Sequence, residues 1–123
     1  MAKILLVEDN EMNRDMLSRR LVRNGHEVLI AVDGEQAVLI AGQDKPELVL
    51  MDVGLPGIDG YEATRRIRAA EATARLPVIA LTAHAMNGER ERAIDAGCDD
   101  FDTKPVDIQR LLGKVQTLLT KAS

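Results

Sequence analysis

The chain lacks most of the features that would place it outside an ordinary cytosolic fold. It has a single cysteine, Cys98, which excludes an internal disulfide. Such a residue reads as a small buried apolar side chain in a reducing compartment. No apolar run approaches the roughly 20 residues of a membrane helix. The start, Met1-Ala2-Lys3, shows no signal-peptide pattern, so the expected location is the cytoplasm. Positive charge is not in excess: the formal net charge is −4, which argues against a general nucleic-acid binder. There is no internal repeat, low-complexity tract or linker, and only Thr120 to Ser123 follow the last helical pattern. The expectation is one domain over residues 1–123 with no output domain.

What is present is a regular alternation. Leu48-Val49-Leu50-Met51 is an unbroken apolar run ended by Asp52, the pattern of a strand buried on both faces. Gly54-Leu55-Pro56-Gly57 then turns the chain away. Lys3 to Val7, Glu27 to Ala31, Val78 to Leu81 and Phe101 to Thr103 are the other predicted strands. Asn10, Asp33, Asp59 and Asp107 are predicted helix caps, with Gln36 and Glu62 placed to complete capping boxes. Met12, Met16, Leu17 and Leu21 are expected on one face of the first helix. The third helix is expected to reach about Ala70. A charged fourth helix should run from about Asn87 to Ala96, and Gly25 and Gly97 should stop the first and fourth. Ile108, Leu111, Leu112, Val115, Leu118 and Leu119 form the apolar stripe of the fifth. Five strands alternating with five helices imply an α/β fold with a parallel sheet covered on both faces.

In such sheets, chemistry sits at the C-terminal edge. The first strand delivers Glu8 and Asp9 there, the third Asp52, the fourth Thr82 and the fifth Lys104. Each alone has an ordinary reading: acids favour helix N-termini, a threonine caps a turn, a lysine faces solvent. Together, on one edge, they form a chemical set. Three crowded carboxylates demand protonation or a cation. Oxygen-only ligands favour a hard ion such as Mg²⁺, which bridges phosphoryl oxygens. Lys104 can neutralise a phosphate oxygen and Thr82 can hydrogen-bond another. The set fits phosphoryl transfer to a carboxylate, with Asp52 as nucleophile.

Val7-Glu8-Asp9-Asn10, Met51-Asp52, Leu55-Pro56-Gly57-Ile58-Asp59-Gly60, Leu81-Thr82-Ala83 and Thr103-Lys104-Pro105 resemble the signature blocks of receiver domains, the CheY-like response-regulator modules of two-component signalling. The resemblance covers essentially the whole chain, and the length is similar to stand-alone members of the CheY and DivK type. It implies a doubly wound five-stranded sheet in the order 2-1-3-4-5 and a cis bond before Pro105. It implies that Asp52 is phosphorylated by a histidine kinase or histidine phosphotransfer protein. Asp9, Asp52 and the backbone carbonyl of Gly54 would ligate Mg²⁺ directly, and Glu8 through metal-bound water. Thr82 and Lys104 would hold the phosphoryl oxygens, and Phe101 would be the aromatic that turns inward when Thr82 moves. Ala83 is small enough to admit the phosphoryl group. The helix after Thr82 is charged, with Glu89, Arg90, Glu91 and Arg92, and offers few apolar anchors, so local rearrangement is easier there. Output is therefore expected through protein contacts on the fourth helix, fifth strand and fifth helix, with no nucleic acid or membrane, from a monomer. The protein would be no enzyme toward outside substrates, catalysing only its own phosphorylation and dephosphorylation.

Three positions depart from the common pattern. Gly54 places no side chain over the phosphate, His84 stands two residues after Thr82, and Asp102 is polar where many relatives are apolar. Gly54 and His84 should influence how fast water removes the phosphate, and protonated His84 could pair with it. Two other readings compete. A flavodoxin-like cofactor binder shares the fold, but the loop Glu8-Asp9-Asn10 would repel a flavin phosphate lacking a metal. A degenerate receiver acting only as a binding module is disfavoured by the full set of signature residues.

Overall fold

The computed structural model describes residues 2–83 and 88–122. The elements are β1 (Lys3–Val7), α1 (Glu11–Arg23), β2 (Glu27–Ala31), α2 (Gly34–Asp44), β3 (Leu48–Asp52), α3 (Gly60–Ala69), a 3-10 turn (Glu71–Thr73), β4 (Val78–Thr82), α4 (Glu89–Ala96), β5 (Asp100–Thr103) and α5 (Ile108–Ala122). All pairings are parallel and the strand order is β2-β1-β3-β4-β5, as expected. The unbroken apolar runs become the central strands: every residue of β3 and β4 is buried. Alternate residues divide between the two faces. Leu5, Val7, Val49, Met51, Val78 and Ala80 pack with Ala37, Ala41, Ile67, Ala93 and Ala96 of α2, α3 and α4. Ile4, Leu6, Leu48, Leu50, Ile79 and Leu81 pack with Leu17, Leu21, Leu111 and Val115 of α1 and α5.

Helix starts follow the cap residues. The side chains of Asn10, Asp33 and Asp59 accept from the backbone N–H groups of Asn13, Gln36 and Glu62 at 2.8–2.9 Å, and Asp107 accepts from Arg110 N at 3.1 Å. The capping boxes do not close as expected. Gln36 reaches past Asp33 and accepts from Val32 N at 3.1 Å, whereas Glu62 turns its carboxylate to Arg65 and Arg66. Gly25 and Gly97, at φ +88° and +103°, stop α1 and α4.

The expected stripe on α1 is half right. Leu17 and Leu21 are buried, but Met12 is 82% and Met16 48% exposed. Met16 immediately precedes Leu17 and so points about 100° around the helix, and Met12 shares its row. Third-helix geometry ends at Ala69, and the 3-10 turn that follows had no signal in the pattern. The expected start of the fourth helix at Asn87 lies outside the described residues. Among the described residues, no helix is long and apolar enough to cross a membrane.

Candidate functional site

Backbone ladders carry the chain just past the strand ends and so fix the residues that follow. Glu8 N donates to Ala31 O at 3.1 Å, Val53 N to Leu81 O at 2.9 Å, and Lys104 N to Thr82 O at 2.8 Å. Because β1, β3, β4 and β5 are neighbours in that order, Glu8, Asp52, Thr82 and Lys104 open on one edge. This edge includes the point between β1 and β3 where the strand order reverses, the usual ligand position in open α/β sheets.

Glu8 is fully buried, Asp52 is 4% exposed, and Asp9 is exposed. One oxygen from each of the three lies within 4.8 Å of the others. Lys104 Nζ stands 2.9 Å from Glu8 Oε1 and 3.2 Å from Asp52 Oδ1. Gly54 N donates to Asp52 Oδ1 at 3.2 Å, and Asn10 N to Glu8 Oε2 at 3.2 Å. Burial, then the neighbouring Asp52, pushes the Glu8 carboxyl above its ordinary value, against the pull of Lys104. Burial also works against the Lys104 ammonium, but Glu8 and Asp52 outweigh it and hold that pKa above its usual value. Among the described residues, Lys104 supplies one ammonium to a cluster of three carboxyl groups, so a divalent cation can be accommodated there. The donor set is all oxygen, so the residues present fit a hard ion such as Mg²⁺.

The hollow over Asp52 has a volume of about 360 Å³ and is walled by Gly54, Thr82, Ala83 and Lys104. A larger groove, about 730 Å³, lies at the opposite end of the sheet beside Pro46, Pro77 and Leu119, far from this charge cluster. The Lys104–Pro105 bond is cis. Phe101 is half-buried against the α2–α4 side of the core, with Lys114 Nζ 5.7 Å from the ring centre. His84 lies outside the described residues.

Four residues at the site had no site role expected from the sequence. Arg14 donates from Nη1 to the carbonyls of Glu8 and Asp9 at 3.1 and 3.4 Å, bracing the acidic loop from the first turn of α1. Asn13 and Glu89 line the hollow. Gly60 sits so close to β3 that a Cβ there would lie 2.3 Å from the Asp52 carbonyl oxygen. Only Gly60 carried a signal, as the last residue of the Leu55–Gly60 block. The departure at Asp102 also resolves: it is buried, and Arg110 of α5 grips its carboxylate through Nε at 2.9 Å and Nη2 at 2.6 Å.

Residues 4–116 match the response regulator receiver domain family. The chain is 34% identical to the polar-differentiation response regulator DivK of Brucella ovis over 119 residues, 97% of each chain. It is 36% identical over 121 residues to the DNA-binding dual master transcriptional regulator RpaA of Synechocystis, covering 98% of this chain but 50% of RpaA. It covers 26% of the response regulator PleD of Caulobacter vibrioides, so the chain spans half or less of these longer relatives. Among solved structures it matches a response regulator from Chloroflexus aurantiacus at TM-score 0.93 and 34% identity, covering 97% and 98% of the two chains. It also matches the receiver domain of the sensor histidine kinase PA1611 from Pseudomonas aeruginosa, which holds a magnesium ion in its active-site cleft. That match has a TM-score of 0.90 and 42% identity, over 97% and 98% of the chains. The chain therefore belongs to the receiver-domain family of two-component response regulators.

Proposed function

We propose that Asp52 accepts a phosphoryl group from a histidine kinase or histidine phosphotransfer protein, and that the loaded form signals through protein contacts. The observation that carries this reading is the placement of Asp52, held at the end of a fully buried strand with Lys104 3.2 Å away, inside a cluster of oxygen ligands. A carboxylate oxygen of Asp52 forms the bond to phosphorus while the donor's bond to phosphorus breaks, the leaving group keeping the electron pair. Lys104 follows the charge from the carboxylates to a phosphoryl oxygen. The Thr82 hydroxyl donates to another, and its movement draws Phe101 inward. Ala83 and Gly54 leave the approach open.

Asp9, Asp52 and the Gly54 carbonyl would hold Mg²⁺, with Glu8 acting through its water. When bound, the ion supplies neutralisation of the charge spread over the phosphoryl oxygens. The magnesium-bearing PA1611 receiver domain supports this assignment. The whole chain is taken as one monomeric receiver unit, cytoplasmic, with no chemistry beyond gaining and losing its own phosphoryl group. Incubation with labelled acetyl phosphate tests the reading. Base-labile incorporation is expected with Mg²⁺, and none with chelator or in Asp52→Asn; equal labelling of the Asp52→Asn protein overturns the assignment.

A further inference from the structure

Glu89 begins α4 and lines the same hollow as Asp52, Thr82 and Lys104, yet the chemistry above makes no use of it. Its side chain is only 12% exposed. Among the described residues, Tyr61 and Arg92 hold it there. The Tyr61 hydroxyl, from a ring buried on α3, donates a hydrogen bond to Oε2. Arg92 Nη1 lies 3.3 Å from Oε1, and the Arg92 guanidinium sits 5.5 Å from the centre of the Tyr61 ring. Arg92 is 67% exposed, so water screens its charge. Burial, then Glu89, holds the Tyr61 phenol well above its ordinary pKa, so it remains a neutral donor aimed at an anion.

An acid in the first turn of a helix is favourable wherever it faces. That preference does not require the carboxylate to be drawn into the wall of an anion-accepting hollow by a buried phenol. We propose that Glu89 is an electrostatic determinant of loading: latched by Tyr61, its carboxylate opposes the phosphoryl group entering the hollow, and loading breaks the Tyr61–Glu89 bond. This rests on the reading of Asp52 as phosphoacceptor. In the loading step an Asp52 oxygen bonds phosphorus as acetate leaves acetyl phosphate with the electron pair. A carboxylate charge is thereby replaced by a phosphoryl group of about −1.5 to −2. The cost of placing that charge beside Glu89 falls when the carboxylate swings away, which frees the first turn of α4 from α3. Glu89 is thus a positioning residue that acts through charge, not a group that bonds the phosphoryl.

The test uses the full chain with Mg²⁺ and acetyl phosphate, following the loaded fraction by intact mass. Glu89→Gln keeps an oxygen for Tyr61 but removes the charge. It should load several-fold faster than wild type at low ionic strength, and the advantage should shrink as salt screens the interaction. Tyr61→Phe releases the latch with the ring retained and should shift loading in the same direction by less. Tyr61 is the only tyrosine and there is no tryptophan, so intrinsic fluorescence reports the surroundings of this one side chain. It should rise on loading as the quenching carboxylate leaves. Wild-type rates in Glu89→Gln, a rate difference indifferent to salt, or unchanged fluorescence on a loaded protein would each overturn the latch. Absence of label from the wild type itself would instead overturn the phosphoacceptor reading beneath it.

Discussion

Lys104 Nζ lies 2.9 Å from Glu8 Oε1, across 96 positions of sequence. The contact joins the ends of β1 and β5, which are not neighbours in the sheet, over the top of Asp52. Glu8 has no exposure, so removing its counter-charge leaves an acid in a poor environment for ionisation. Lys104→Met in chelator should lose about 3 kcal/mol of stability, the scale for a broken buried pair. Mg²⁺ should recover part of the loss. Urea denaturation with and without the ion measures both; midpoints equal to wild type would show that the pair contributes nothing.

Gly60 lets α3 start against the end of β3. A methyl group there would meet the Asp52 carbonyl oxygen at 2.3 Å and Val53 Cα at 2.8 Å, both backbone atoms that cannot rotate away. Gly60→Ala should cost about 1–3 kcal/mol in overpacking and slow labelling by tilting Asp52. Thermal unfolding and a labelling time course report the two effects; wild-type values in both would mean that the backbone yields freely.

Gly54 presents the opposite case, because a Cβ there meets nothing within 4 Å. Gly54→Gln should fold normally and lengthen the life of the phosphorylated form several-fold by standing in the path of attacking water. Decay of label after removal of the donor measures this. An unchanged half-life would place control of the rate elsewhere.

Asp102 and Arg110 set an acid limit. Burial of Asp102 works to raise its pKa, but the hydrogen bonds from Arg110 and from Thr103 N win and hold it below the ordinary 3.8. A depressed folded-state value means the stabilisation is complete above the unfolded pKa and is lost as pH falls through the folded one. Stability should therefore drop below about pH 4. Arg110→Gln should lower stability at neutral pH and flatten that acid limb. Denaturation midpoints between neutral and strongly acid pH decide it; parallel curves for the two proteins would contradict the assignment.

The features legible in the sequence were those carried by local pattern. The strand runs, the caps at Asn10, Asp33, Asp59 and Asp107, and the glycine stops depend on a few adjacent residues. The edge residues Glu8, Asp9, Asp52, Thr82 and Lys104 were legible because strand ends define an edge once the strands are known to be parallel. Misplaced features had other causes. Met12 and Met16 are apolar with helical spacing, yet one step of rotation separates their row from that of Leu17 and Leu21. The Asp102–Arg110 pair and the Tyr61–Glu89 bond join side chains from different elements, 28 positions apart in the second case. No periodicity signals such contacts; only the packing of β5 on α5 and of α3 on α4 creates them.

The most direct measurement is the site of phosphoryl attachment. The protein, treated with acetyl phosphate and Mg²⁺, is reduced with borohydride to trap the acyl phosphate, digested and sequenced by tandem mass spectrometry. The expected result is one modified residue, Asp52, and no modification in the presence of chelator. Modification at Glu8, Asp9 or a histidine in place of Asp52, or none in a folded magnesium-loaded protein, would contradict the account.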